Sequence, residues 1–285
     1  MSHEKLGTLA AVISGLAFAS LPIFSKLAYL NGVGVFTVLF WRFFGAALLF
    51  PLFLTVSHQL VRYDKKTVIK LLLLGALGYT CMSAFFLSSV ERIPASLSSM
   101  LLYSYPAFVC LVSVALKREL LTMRKIAALV IVSVGLVCVL GASFHDVDPL
   151  GILLAIGAAI VYTVYIVAGN KTVSRLDPIN ATMYIMLGSA AAFTVLGLAT
   201  NSIRMSFTPD AWLDLLGIII FPTVLAILSF WFAVKYLGPV KTSIISTIEP
   251  LFTVILAWMI LGEGLTGIQL LGGIFIILGI IILQL

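Results

Sequence analysis

Charge is scarce in this chain: Asp, Glu, Lys and Arg together make up 10% of its 285 residues. Soluble domains carry about 25%, so an ordinary water-facing fold is excluded. Histidine and cysteine are equally sparse, three of each. His3, His58 and His145 fall between the apolar runs and no His-Glu-x-x-His pattern occurs, so no metal cluster arises. Cys81, Cys110 and Cys138 are an odd number embedded in apolar runs, which implies reduced packing residues and no disulfide framework. A phosphate-binding loop is missing too. Gly272-Gly273 sits in an apolar run with no Lys-Ser or Lys-Thr after it, so this chain does not drive its own work with ATP, and no cofactor is implied. The 22 glycines follow no strict period and 62% of residues are hydrophobic, which excludes collagen-like and disordered chains.

What is present is apolar sequence, with a mean hydropathy of +1.20. Runs of about twenty residues, each long enough to cross a bilayer, recur from end to end. Ten spans are predicted, at 6–27, 34–56, 68–90, 95–116, 123–142, 150–170, 179–200, 212–234, 240–261 and 267–285. The first is too long for a signal-peptide core and nine others follow, so it reads as an uncleaved anchor. An all-α integral membrane protein is expected, with the lipid bilayer as its surroundings and a state of monomer or homodimer.

The net charge of +6 does not point to nucleic acid, because the basic residues lie between apolar runs and none form a stretch interleaved with aromatics. Their distribution reports topology instead. With the N-terminus in the cytoplasm, Lys5, Arg62, Lys65, Lys66, Lys70, Lys117, Arg118, Arg124, Lys125, Lys171, Arg175, Lys235 and Lys241 all fall inside. Lys26, Arg92 and Arg204 fall outside, and Arg42 lies within a span. Both termini are therefore expected in the cytoplasm, with the plasma membrane as the location.

The chain also repeats itself. A shift of 144 positions superposes Gly7 on Gly151, Leu9 on Leu153, Phe86 on Phe230, Pro106 on Pro250, Phe108 on Phe252, Glu119 on Glu263, Thr122 on Thr266 and Gly135 on Gly279, without a gap. The halves are 1–143 and 144–285. Five spans is an odd number, so the second half enters the membrane upside down as an inverted-topology repeat. Charge agrees: Lys117 and Arg118 precede Glu119, whereas Leu261 and Gly262 precede Glu263, and Arg124 and Lys125 become Ile268 and Gln269. Glu119 and Glu263 themselves read as caps or pairing partners near helix ends.

The segment from Pro106 through Pro-Ala-Phe to Lys-Arg-Glu, and its partner Glu-Pro-Leu-Phe followed by Leu-Gly-Glu, resemble the paired signatures of the drug/metabolite transporter superfamily, EamA-like branch. Trp41-Arg42-Phe43 resembles the Arg-Phe these proteins often carry in the second span. The resemblance covers the whole chain. It implies a secondary transporter of small organic metabolites, amino acids or drug-like solutes, working by alternating access. It further implies that spans 1, 3, 4, 6, 8 and 9 line a central site, that paired spans 3-4 and 8-9 rock, and that spans 5 and 10 lie outside.

Within the spans, polar residues form faces that avoid lipid. Small residues at every fourth position, Gly7, Ala11, Gly15 and Ala19 and then Gly151, Ala155, Ala159 and Thr163, make stripes for close helix packing. Another face of the same two spans carries Ser14, Phe18, Leu21 and Ser25, with Ala158, Tyr162, Tyr165 and Gly169 as counterparts. Tyr162 and Tyr165 either stack on a solute or sit as amphipathic packing residues. The ninth span presents Thr242, Ser246, Glu249 and Thr253 on one face. The fourth offers Ser98 and Tyr105 at matching positions, with Ser99, Tyr103 and Ser104 beside them. The expected substrate-binding set is thus Ser14, Phe18, Ser98, Tyr105, Tyr162, Tyr165, Thr242 and Ser246.

Pro106 and Pro250 each remove a mid-span backbone donor, freeing carbonyls near Leu102 and Ser246 and predicting matched kinks, either hinges or static bends. Arg42 and Glu249 are buried charges, ~12 Å and ~14 Å from the nearest span end at 1.5 Å per residue. They pair with one another, or Arg42 snorkels outward while Glu249 takes up a proton. Glu249 then either changes protonation or partner during transport or only holds structure. Beside proton-coupled transport stand a passive exchanger or facilitator, an intramembrane lipid-acting enzyme, and a receptor or scaffold. Ser, His and acid converge on no single span, which argues against the enzyme. Solute, direction and coupling ion are not written in these patterns.

Overall fold

The computed structural model describes residues 3–93, 98, 101–116, 120, 122–140, 148–262 and 266–284. Glu119, Glu263, Lys117 and Arg118 lie outside the described residues. Among those described, every regular element is helical. The helices are α1 (His3–Ala19), α2 (Leu21–Leu30), α3 (Val35–Val56), α4 (Lys65–Leu73), α5 (Thr80–Arg92), α6 (Tyr105–Ala115) and α7 (Met123–Leu140). They continue as α8 (Pro149–Val173), α9 (Pro178–Ala199), α10 (Pro209–Ile219), α11 (Ala226–Ser246), α12 (Ile248–Leu261) and α13 (Gly267–Gln284). Two single π-turns, Leu74–Tyr79 and Ile220–Leu225, join α4 to α5 and α10 to α11. Six helical stretches are long and apolar enough to cross a membrane.

Local sequence sets the boundaries. Asp64, Asp148, Asp177 and Thr208 accept backbone N–H groups at the starts of α4, α8, α9 and α10, and Pro149, Pro178 and Pro209 occupy first turns where no N–H is missed. The first predicted span is broken at Ser20, whose hydroxyl donates to Ala17 O at 2.7 Å just before Pro22. The ninth is entered through Gly238, at φ 78° and ψ 171°, a conformation that suits glycine and marks the corner between α11's two halves. It breaks again at Thr247, before Pro250. A matching break occurs at Tyr103 and Ser104, before Pro106. Thr247 and Tyr103 are 144 positions apart, so the predicted kinks occur at equivalent places as short interruptions of the helix.

The π-turns repeat the same logic, within two residues of the 144-residue offset. Thr80 Oγ1 donates to Gly75 O at 3.1 Å, and Thr223 Oγ1 donates to Ile218 O at 2.7 Å. In each case a threonine hydroxyl donates to the carbonyl five residues back, which in the first turn also accepts the Thr80 N–H.

Packing between the halves is reciprocal. α1 packs on α11 and α12, and its counterpart α8 packs on α5 and α6; α3 lies against α9, and α7 against α13. The reciprocity reaches single residues. A side chain at Gly7 would strike Tyr236 and Leu237, and one at Gly151 would strike Arg92 and Ile93, the same pairs displaced by 144. Glycine at these positions lets the helices approach this closely. Exposed apolar side chains such as Val130, Val134, Ile274 and Ile277 cover α7 and α13, placing that pair at the edge of the bundle.

Connections gather at two ends. At one, Asp177 N–H donates to the Tyr63 hydroxyl at 3.2 Å, Asn180 bridges Gln59 and Val61, and Lys235 Nζ donates to Leu176 O at 3.1 Å. At the other, Thr37 bonds the Ser202 carbonyl at 2.8 Å, Asn31 donates to Asp214 at 2.8 Å, and Trp41 packs edge-on against Trp212.

Candidate functional site

Between these ends lies a cavity of about 50 Å³, room for a few waters and too small for a metabolite. Its wall includes Phe18, Arg42, Tyr79, Ser83, Phe86, Tyr103, Tyr105, Tyr162, Ser246 and Glu249. Six residues expected from the sequence are therefore brought together: Phe18, Tyr105, Tyr162 and Ser246, with the charges Arg42 and Glu249.

Arg42 is 2% exposed and held from three sides. Nε donates to Thr223 Oγ1 at 2.9 Å, and Nη2 donates to the Tyr79 hydroxyl and to Pro222 O, each at 3.2 Å. The guanidinium also lies 5.1 Å from the Phe43 ring centre and 5.8 Å from that of Tyr79. The π-turn thus supplies both a threonine oxygen and a carbonyl to this one side chain. Nη1 has no partner among the described residues.

Glu249 borders the same cavity, interacting with Tyr103 and, through space, with Arg42. No direct ion pair joins Arg42 and Glu249. Snorkelling is excluded as well, since Arg42 is tied inward to Thr223 and Tyr79. The Glu249 position corresponds to Tyr105 in the first half, and Arg42 corresponds to Met186. The symmetric scaffold therefore encloses an asymmetric pair of charges.

The aromatic wall is continuous. Tyr162 packs edge-on to Tyr105 with centres 4.7 Å apart and stacks on Phe230 at 6.0 Å, while Tyr103 sits 6.0 Å from Tyr105. Ser83, which borders this space, is 2% exposed, and its hydroxyl has no hydrogen-bond partner among the described residues.

Ser14, Ser98, Thr242 and Tyr165 are not part of the wall. Ser14 donates to Ala226 O at 2.9 Å, bonding α1 to α11. Ser98 shares a 2.8 Å bond with Ser89, which also donates to Gly151 O. Thr242 turns back onto Gly238 O at 2.7 Å. Tyr165 accepts from Trp231 Nε1 at 3.0 Å, behind Tyr162. Periodicity placed these groups on inward faces, but their hydroxyls are spent on backbone or neighbouring side chains. Sequence reasoning missed Tyr79, Ser83 and Phe86 of the third span.

Ion pairs between the two halves stand at both ends of the bundle. At one end Lys241 Nζ pairs with Glu4 at 2.7 Å and His3 stacks on Tyr236 at 5.4 Å. At the other Arg92 pairs with Asp148 at 3.1 Å. The backbone N–H of Leu150 and the Arg92 side chain hold the Asp148 carboxyl below the usual carboxylate range.

Comparison with known proteins gives a consistent result. The model of the EamA-like transporter family matches residues 5–141 and again 149–285, two matches beginning 144 residues apart. An uncharacterized transporter of Archaeoglobus fulgidus is 26% identical over 98% of this chain and 96% of its own length. The uncharacterized transporter YcbK of Bacillus subtilis is 27% identical over 95% of this chain and 91% of its own. A solved crystal structure with 18% sequence identity superposes with a TM-score of 0.84, covering 100% of this chain and 99% of the other, a likeness of fold.

Proposed function

Because this chain belongs to the EamA-like transporter family, and is an integral membrane transporter with a small-molecule substrate, we propose that it moves small zwitterionic metabolites of the amino-acid class by alternating access. In this reading ten spans form two inverted five-span halves, 1–143 and 144–285. Both termini lie in the cytoplasm, and the membrane is the plasma membrane. The gathering of Arg62, Lys65, Lys171, Arg175, Lys235 and Lys241 at the end that carries Glu4 supports that orientation.

The observation that carries the proposal is the opposition of Arg42 and Glu249, without a direct ion pair, across one cavity. The unpartnered Nη1 of Arg42 suits a carboxylate oxygen through a charge-assisted hydrogen bond, Glu249 suits an ammonium, and the tyrosine wall suits an apolar or aromatic body. The present cavity is too small to hold a solute. Loading requires one end to open, with the interruptions before Pro106 and Pro250 as the bending points.

The test is flux in proteoliposomes. Counterflow of a labelled amino acid, with and without an imposed proton gradient, is expected to show exchange in both cases and accumulation above equilibrium only with the gradient. Exchange without accumulation identifies a passive exchanger. Absence of counterflow for any zwitterion overturns the substrate class. Glu249→Gln is expected to abolish accumulation; full gradient-driven accumulation by that variant excludes Glu249 as the proton carrier.

A further inference from the structure

A second recess opens on the side of the bundle, between the third and sixth spans, and is independent of the central cavity. Its volume is about 490 Å³, close to ten times that of the central cavity. The walls are Leu73, Leu77, Ile160 and Val164, and the floor is Tyr165 with Gly78. Only Lys70 and Thr172 among its lining residues bring polar side-chain ends to its mouth, and both lie at the end of the bundle that carries Glu4.

Three features agree on the occupant. The groove follows α8 from Ile160 to Thr172, ~18 Å at 1.5 Å per residue, close to the half-thickness of a ~30 Å hydrocarbon core. Its interior is apolar along that length and its cation stands at one extremity, the arrangement of a chain with a charged head. The charge around the mouth is one-sided. Lys65, Lys66, Lys171 and Arg175 occupy the same two helix ends as Lys70. The acids there, Asp64 and Asp177, are engaged in capping: Asp64 accepts from the N–H groups of Lys66 and Thr67, and Asp177 from Asn180. Lys70 itself is exposed and forms no ion pair with a described residue.

We propose that this groove is a binding site for one anionic phospholipid of the adjacent leaflet, an acyl chain lying along α8 and the headgroup phosphate on Lys70. A lipid seated there touches Tyr165, which packs on Tyr79 and Tyr162 at 5.1 and 5.9 Å between ring centres. The lipid is thereby one aromatic layer away from the transport cavity.

Trp231 reports on the site, because its ring lies 5.2 Å from that of Tyr165. The full-length chain with Trp41, Trp212 and Trp258 changed to Phe is reconstituted in phosphatidylcholine vesicles. Phosphatidylglycerol or phosphatidylcholine with brominated acyl chains is then added at equal mole fraction. Brominated phosphatidylglycerol is expected to quench Trp231 with an apparent affinity about fivefold higher, the effect of one lysine near an anionic surface. Lys70→Gln is expected to bring the ratio to about one. Ala168→Phe, which fills the groove, is expected to remove quenching by both lipids while the emission spectrum stays that of a buried indole. Equal quenching by the two lipids in the parent protein overturns the proposal. Persistence of the preference in Lys70→Gln, whose exposed side chain is not needed for folding, overturns it equally.

Discussion

Glu4 and Asp148 occupy equivalent positions in the two halves of the chain, and each is ion-paired to a base contributed by the other half, Lys241 and Arg92 respectively. The same offset relates the glycines one turn further in, Gly7 against Tyr236 and Leu237 and Gly151 against Arg92 and Ile93. Each end of the bundle thus carries an ion pair and close helix contacts between the halves. In the proposed cycle these are two latches, released in alternation.

Glu4→Gln and Asp148→Asn are therefore expected to act in opposite senses. A cysteine placed at Ser246, on the cavity wall, should react a few-fold faster with a reagent from the Glu4 end in the first variant and from the Asp148 end in the second. The effects should be modest and shrink at high salt, since both pairs are solvent-exposed. Labelling from a defined side of sealed vesicles checks this. The same direction of change in both variants contradicts a two-latch arrangement.

Acid should release one of these latches. The Asp148 carboxyl is held below its ordinary value of 3.8, first by the Leu150 N–H and then by Arg92. A depressed native pKa means that its contribution is fully present above the unfolded-state value and is lost as pH falls through the lower native one. The parent protein and Asp148→Asn should thus differ in cavity labelling from the Asp148 end at neutral pH and converge as pH drops below about 3.8. A difference that does not shrink as pH falls assigns the effect of the substitution to something other than the charge.

Arg42→Met introduces the residue that the second half carries at the equivalent position, Met186. It removes three charge-assisted hydrogen bonds, to Thr223, Tyr79 and Pro222, each worth roughly 1.5–3 kcal/mol, while restoring apolar volume. Transport should fall more than tenfold and thermal stability should drop by several degrees. Fluorescence-detected chromatography with heating, run beside flux, separates the two effects. Undiminished counterflow by a folded Arg42→Met removes the carboxylate role.

Thr80→Val and Thr223→Val test the π-turns. Each deletes a bond to a carbonyl five residues back, about 1 kcal/mol. Thr223 also accepts from Arg42 Nε, so its replacement should cost about 2–3 kcal/mol and Thr80→Val about 1. Denaturation in mixed micelles measures the difference, and equal losses are inconsistent with a role for Thr223 in holding Arg42.

Much of this architecture was legible in the sequence because a bilayer leaves few choices: each crossing needs about twenty apolar residues, and a buried charge must have a reason. Arg42, Glu249, Tyr105 and Tyr162 were found on that basis. The short hydroxyl residues were harder. Ser14, Ser98 and Thr242 have the same period as Ser246, and all four hydroxyls are bonded to neighbours, yet nothing in spacing reveals that only Ser246 borders the cavity. Tyr79, Ser83 and Phe86 were missed for a different reason. The third span shows no polar stripe from which to choose a face, and the π-turn at Leu74–Tyr79 breaks the 3.6-residue period there. The break at Ser20 was also not foreseen, although Pro22 was its signal; the eighth helix, which has no proline at that level, runs uninterrupted.

The reciprocity of the two ends bears on what sets the direction of flow. In the proposed cycle, contacts of the same kind at the two ends leave the scaffold with little intrinsic preference for facing one side of the membrane. Small influences then decide where it rests: solute concentration, voltage acting on Arg42, or a lipid lodged beside Tyr165. A molecule built this way behaves as a balance with nearly equal arms, and its vectorial output comes from what is placed on the pans.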